Sequence, residues 1–501
     1  MKLKLLNVLL VSGVLAGCGL LGPDYKKPDI DTPSNWNSGH SNVNESSALM
    51  SDTAWWEQFK NPELNAMIHQ ALLNNNNIQI AIGNIAQAQA SLKRAQMAWV
   101  PTINFGGSAF VGQSFNQSLT PTGALSAIPI ANTQDFNGAY AGFTPSYSFN
   151  IFQNIKNEDV AKLNLKMQQA YKNSVRLAVI GQVAGGYFTL LGLHKQLELE
   201  KQMVADLEEN RKYTKVQIAN GSQSQIDLDQ IDQAVYSISV NLSSIKDNIA
   251  QTQNALQVLM NKNPDTIITH IDFDDIKTDG VVPVNLPSEV LKNRPDIIYS
   301  EYQVQVSNAQ IGVAMSAFFP SINLTSPIGL STFQLSNLLN GSNDFWATQV
   351  SAAMPILNLG IYQDIKKSKA NYYSVYYNYI QTVRSAFADV DNNLSKHAST
   401  DEAYSIQQKS MHSADELYHL GTVEYQNGSK SYASIINYKV NIDNTKLNLN
   451  KAKMNQLTSI VNLYQSLGGG YNIDNTESQN KFGDSHRPLS SMLRQFFIRS
   501  S

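Results

Sequence analysis

The chain is written twice, and each copy interrupts long helical sequence with a pair of short strands. Ala90, Ala95, Ala98, Trp99, Pro101, Ile103 and Asn104 recur as Ala309, Ala314, Ala317, Phe318, Pro320, Ile322 and Asn323, at a constant offset of 219. Gly221, Ser222, Ser224 and Leu228 recur as Gly428, Ser429, Ser431 and Ile435, at an offset of 207. The two offsets differ, so an insertion or deletion separates the anchors. Self-similarity at this scale restricts the fold to a duplicated unit.

The strands are read from a period of two. Ile103, Phe105, Gly107, Ala109 and Val111 alternate with Thr102, Asn104, Gly106 and Ser108 over residues 102–112. The same alternation covers 140–151, 321–331 and 346–356. One face is apolar and the other carries small uncharged residues. Soluble hairpins on a core would give a similar pattern. A barrel wall in lipid explains more, because the polar face suits a wet lumen. Trp99, Phe149, Phe152, Phe318, Phe345 and Trp346 also lie near the strand ends, where interface girdles form. Four strands cannot close a membrane barrel, and an open edge in lipid leaves backbone groups unpaired. Copies must therefore join. Three chains give twelve strands, and two or four chains would also close a ring.

The remaining sequence predicts long helices. A first helix starts at Asn61-Pro62 and runs to about Ala98. From Ile155 to Lys212 there is no proline, and the helix weakeners are Gly181, Gly185 and Gly186. Leu228, Ile231, Val235, Ile238, Leu242, Ile245, Ile249, Thr252, Leu256 and Leu259 follow a 3,4 spacing, the mark of a coiled coil. The second copy repeats the plan over 359–420 and 431–467, and Gly468-Gly469-Gly470 ends it. This divides the chain into repeat 1 (61–262), a Pro- and Asp-rich connector (263–286), repeat 2 (287–471) and a polar tail (472–501). An extended segment (18–60) precedes them.

The single cysteine is Cys18. Lys2 and Lys4 followed by the apolar run Leu5–Leu15 form a signal peptide over 1–17. Leu15-Ala16-Gly17-Cys18 then matches a bacterial lipobox, in which the cysteine receives diacylglycerol and an N-acyl chain; an ordinary cleaved signal is the alternative. No other cofactor is expected. A net charge of −3 and the lack of any Lys/Arg run exclude a nucleic-acid partner. Phosphate loops, nucleophile elbows and paired-cysteine metal sites are missing from the sequence, so an enzyme is not expected. His412, Asp415 and His419 share one helix at a spacing that arises by chance on long helices. Arg294-Pro295-Asp296 reads as a helix-start anchor.

These segments resemble the TolC-like outer-membrane efflux factors, in the lipoprotein branch called NodT-type, over about residues 15–471. The resemblance rests on Gly22-Pro23-Asp24-Tyr25-Lys26-Lys27-Pro28, on Leu291–Ile297 with its Arg-Pro-Asp, on Ile311-Gly312 through Phe318-Phe319-Pro320-Ser321-Ile322, and on Leu467–Gly470. It implies a mainly α fold with membrane β-structure. A homotrimer would form a twelve-stranded outer-membrane barrel, four strands per chain, continued by an α-helical coiled-coil barrel in the periplasm of a Gram-negative bacterium. A periplasmic membrane-fusion adaptor and an inner-membrane pump of the RND type are its implied partners. In that family an aspartate six residues after the first turn glycine bonds a basic residue and a tyrosine near the second turn, closing the tip. The matching positions are Asp227, Lys430 and Tyr425. Acidic residues six and nine after the second glycine are replaced here by Ser434 and Asn437, which weakens the case for a cation-selective ring. The implied function is a passive exit duct for small molecules such as antibiotics. Protein secretion, metal efflux and a non-conducting envelope tether are the alternatives.

Overall fold

The computed structural model describes residues 22–30, 50–116, 132–278, 293–332 and 344–473. Cys18, the expected signal segment and all but the first two residues of the expected tail lie outside the described residues. The chain divides into two units. One comprises Met1–Lys27, Ala88–Leu165 and Gln303–Val375, and the other Pro28–Gln87, Lys166–Tyr302 and Tyr376–Ser501. Both sequence repeats contribute segments to each.

The first unit is built on an antiparallel sheet. Its strands are β1 (Thr102–Asn116), β2 (Asn132–Phe149), β3 (Ser321–Thr325), β4 (Ile328–Thr332), β5 (Asp344–Trp346) and β6 (Gln349–Ala353). β2 pairs with β1 on one side and with β3 and β4 on the other; β4 then pairs β5, and β3 pairs β6. β3 and β4 are one expected strand broken at Ser326-Pro327. Proline has no N–H to give a ladder. The ladder is bridged there by Ser326 N donating to Pro145 O (2.9 Å) and Ala347 N donating to Pro327 O (3.0 Å). β5 and β6 are likewise one strand broken at Ala347-Thr348. The sheet is thus four strands wide.

The strand bounds differ from the sequence reading. β1 and β2 run further toward their connecting loop than the alternation indicated. β2 stops at Phe149 because Asn150 caps the next helix, its Oδ1 accepting from Gln153 N at 3.1 Å. β6 stops at Ala353, two residues before Pro355. The cross-strand row Phe105, Phe143, Ile328 and Trp346 shares one face. All four side chains are exposed, at 70%, 56%, 53% and 76%. On the other face, Gly142 pairs with Gly329 so closely that a Cβ on either would meet the partner's backbone.

Helices α1 (Pro62–Asn74), α2 (Asn76–Met97), α3 (Ile151–Ala219), α4 (Gln225–Leu259), α5 (Pro295–Ser316), α6 (Leu359–Gln426) and α7 (Tyr432–Ser466) make up the rest. The expected single first helix is split at Asn75. Its Oδ1 accepts from Asn77 N and Ile78 N, starting a new helix, and its Nδ2 donates to Leu259 O (2.8 Å). In the Asn74–Asn77 run the side-chain amide competes with the helix ladder. α3 and α6 have 69 and 68 residues, and α4 and α7 have 35 each. The repeat is therefore preserved to within one residue in its long helices.

The core of the second unit gathers where Trp55–Phe59, α1 and the middle of α3 meet α4, α7 and the connector. Trp55 stacks on Tyr464 at 4.8 Å, and Tyr187, Phe188, Leu256 and Ile460 are fully buried around them. Burying each large side chain contributes about 1.5–3 kcal/mol. α3 does contain an 18-residue window apolar enough to cross a membrane, with mean hydropathy 1.3, but 61% of it is buried inside the protein. The α3 glycines serve close approach: a Cβ on Gly186 would strike Leu256, and one on Gly192 would strike Met454.

Arg294 fixes the end of α7 to the start of α5. Its guanidinium is almost fully buried; Nη1 donates to Ser466 O (2.7 Å), while Nε and Nη2 grip Asp296 at 3.1 and 2.7 Å. Such forked charge-assisted bonds are the strong kind. Arg294→Ala should lower stability by about 2–3 kcal/mol, since it strands the Ser466 carbonyl. Arg294→Lys, which cannot fork, should recover less than half. Thermal unfolding of the purified protein measures both.

Candidate functional site at the two helical turns

Each long hairpin turns at a glycine of positive φ, +70° at Gly221 and +71° at Gly428. A side chain there would be strained, so glycine is required. The turns close identically. Ser222 N donates to Gln217 O (2.8 Å) and Ser429 N to Glu424 O (2.9 Å), while each glycine N–H reaches back three residues. Ser224 and Ser431 then cap α4 and α7.

The two caps differ in one residue. Asp227 completes a capping box, accepting from Ser224 N (3.0 Å) and from Ser224 Oγ (3.3 Å). Its counterpart in the second repeat is Ser434, whose N–H faces Ser431 Oγ at 3.4 Å. The Ser-x-x-Asp spacing was visible in the sequence, and the box is the role it encodes locally. Within one chain Asp227 is not joined to Lys430 or Tyr425. Lys430 lies 3.9 Å from Glu424, and Tyr425 packs its ring 5.6 Å from Tyr432. All are exposed or half-buried, and Asn437 is exposed.

Sequence reading missed the contacts that link the two hairpins. Tyr432 Oη donates to Glu209 Oε1 (2.7 Å), and its ring packs 4.6 Å from that of Tyr213. Lys439 Nζ bridges Asp206 (2.8 Å) and Glu209 (3.3 Å). These bonds hold the Glu209 carboxyl below its ordinary pKa and push the Tyr432 phenol up to about 12. Asp206 and Glu209 together raise the Lys439 pKa, with the Asp206 bond the larger cause. The signal was the heptad step from Tyr432 to Lys439, opposite Asp206, Glu209 and Tyr213 at a 3,4 spacing. Arg211 ties α3 to α4 through Asp232, at 2.6 Å. Asp232 thus faces α3, whereas Asp229 is exposed and accepts from Gln225. Side-chain contacts thus join α4 to α3, α3 to α7 and α7 to α6, the last through Gln456 and Asp401 at 2.7 Å.

His412, Asp415 and His419 are all exposed on α6. Among the described residues no group of three metal-ligand side chains converges.

A model of the family described as outer membrane efflux protein matches residues 67–262 and 286–469. Three curated relatives match over nearly their whole length. The probable outer membrane lipoprotein SilC of Salmonella typhimurium is 27% identical, covering 94% of this chain and 99% of that protein. The antibiotic efflux pump outer membrane protein ArpC of Pseudomonas putida is 27% identical (94% and 96%). The cation efflux system protein CusC of Escherichia coli K12 is 26% identical (92% and 98%). Among solved structures, the outer-membrane channel OprN superposes with a TM-score of 0.77 at 19% identity, covering 90% of this chain and 99% of that one. The open-edged sheet, the paired long hairpins and these likenesses agree: the chain belongs to the outer membrane efflux protein family and is a TolC-like outer-membrane duct of an efflux system.

Proposed function

We propose that three copies of this chain close into one conduit, that its periplasmic end is latched between neighbouring copies, and that it passes small organic molecules. The observation that carries the reading is the four-strand-wide sheet. Among the described residues β1 on one edge and β5 and β6 on the other have no outer partner. Neighbouring chains supply one, as lipid demands.

The helices support the same assembly. The links within a chain run α4–α3–α7–α6, so α4 and α6 are the outer pair. Each carries a second, exposed stripe besides the one facing its own neighbour. On α4 these are Ile226, Tyr236 and Val240, and on α6 Ile406, Leu417, Leu420 and Val423. Counted from the turns, Ile226 is level with Val423, Tyr236 with Ser413 and Val240 with Lys409. The exposed stripe of α4 then packs against that of α6 in the next copy, as in a coiled coil.

This arrangement also gives the latch. Asp227 begins α4, while Tyr425 and Lys430 end α6 and form its turn. They lie on the two outer helices, so they meet between copies and not within one. Exposed pairs contribute about 0–1 kcal/mol each, a strength that adaptor binding can overcome. Ser434 and Asn437, neutral where the family resemblance implies acids, favour uncharged or organic solutes over metal cations. The naming of CusC for cations keeps metal efflux as the second reading. The duct itself uses no energy source, so an inner-membrane pump and a periplasmic adaptor complete the pathway. Cys18 carries the lipid that adds a second hold on the membrane.

Lys430→Ala leaves the Asp227 capping box intact. Alone or combined with Asp227→Ala, it should raise single-channel conductance in planar bilayers about twofold or more; unchanged current contradicts the latch. Cys18→Ser should abolish metabolic palmitate labelling, and persistent label would remove the lipid anchor from the account.

A further inference from the structure

Two carboxyl side chains from different hairpins meet in the seam between α3 and α7. Asp206 on α3 is 5% exposed and Asp443 on α7 is 3% exposed. Asp206 Oδ1 already accepts from Gln202 Nε2 (2.9 Å) and from Lys439 Nζ (2.8 Å). Asp443 fares differently. Its Oδ1 lies 4.0 Å from Lys446 Nζ, and its buried Oδ2 has no hydrogen-bond donor. A buried carboxylate oxygen without a donor is costly, and a proton removes the cost.

The surroundings leave that proton one destination. The charged groups acting on Asp443 are Asp206 from α3 and Lys446 and Lys439 from α7. Glu209 lies beyond Lys439, which it shares with Asp206. α4 presents Val235 and Ile238 to the same seam, with Met203 and Leu207 of α3. Burial first, then the Asp206 carboxylate, pushes the Asp443 carboxyl up to about 6. Asp206 is the acceptor within its reach.

We infer that Asp443 and Asp206 share a proton and make the seam between the two hairpins an acid-tightened clasp. With the proton present, Asp443 donates to Asp206, and the pair joins α3 to α7 beside the Lys439–Glu209–Tyr432 contacts. Without it, two buried negative charges face one another across the seam. The direction follows from linkage. Opened, Asp443 titrates at the ordinary aspartate value of 3.8; closed, it holds its proton up to about 6. Closure is favoured at low pH, and the advantage is lost as pH rises through about 6. Mild acid therefore tightens the linked hairpins, and neutral pH loosens them.

The test is amide hydrogen exchange on the full-length protein in detergent, corrected for intrinsic rates, over peptides spanning 199–212 and 436–447. The readout reports the seam whether or not the protein conducts, so it stands apart from the latch between copies. Protection should be about tenfold greater at pH 5 than at pH 7.5. Asp443→Asn, a neutral mimic that can still donate, should give the high protection at both pH values. Equal protection of the wild type at both pH values overturns the inference, as does full pH dependence in Asp443→Asn. If that variant does not fold, infrared spectra of the wild type decide: a protonated carboxyl band present at pH 5 and lost by pH 7.5 supports the clasp, and its absence at pH 5 refutes it.

Discussion

Backbone hydrogen bonding at the edges of one sheet governs this molecule. β1, β5 and β6 each present an outer row of N–H and C=O groups that the rest of the described chain does not meet. In water such an edge is a hazard; in hydrocarbon it is forbidden. The exposed row of Phe105, Phe143, Ile328 and Trp346 indicates that the sheet sits in lipid. Everything else can be viewed as serving closure. The duplication supplies two strand pairs per chain, and in the proposed assembly neighbouring copies supply their missing edge partners.

The helical part solves a different problem with the same duplicated parts. Two hairpins of nearly equal length end in the same glycine turn, followed by the same serine cap. Around that turn the two repeats differ in what each adds. The first keeps Asp227 as a capping box, and the second has Ser434 in its place. Tyr432 and Lys439 on the second hairpin reach the acids Glu209 and Asp206 on the first. The repeat has been turned into a pair of complementary partners by a few charged substitutions on a common frame.

Much of the fold was legible because its signals are periodic. Alternation located the strands, and the 3,4 stripe from Leu228 to Leu259 located α4 and its buried face. What escaped were features set by single side chains competing with a ladder. Asn75 splits the first helix, Asn150 ends β2, and Pro327 divides the third strand, none of which changes the hydrophobic period. Asp227, Tyr425 and Lys430 were singled out as a gate through resemblance alone. It did not reveal that Asp227 is already engaged by Ser224, although the spacing encoded it. The contacts around Tyr432 and Lys439 were missed for another reason. They depend on which two of four parallel stripes face each other, and a one-dimensional pattern does not specify that.

The number of chains in the folded, lipid-embedded particle tests the central claim most directly. Native mass spectrometry of the protein released from lipid nanodiscs should give three chains per particle, with no folded single chain. A monomer that remains inserted and folded, with the amides of β1 and β6 exchanging freely, would contradict the account.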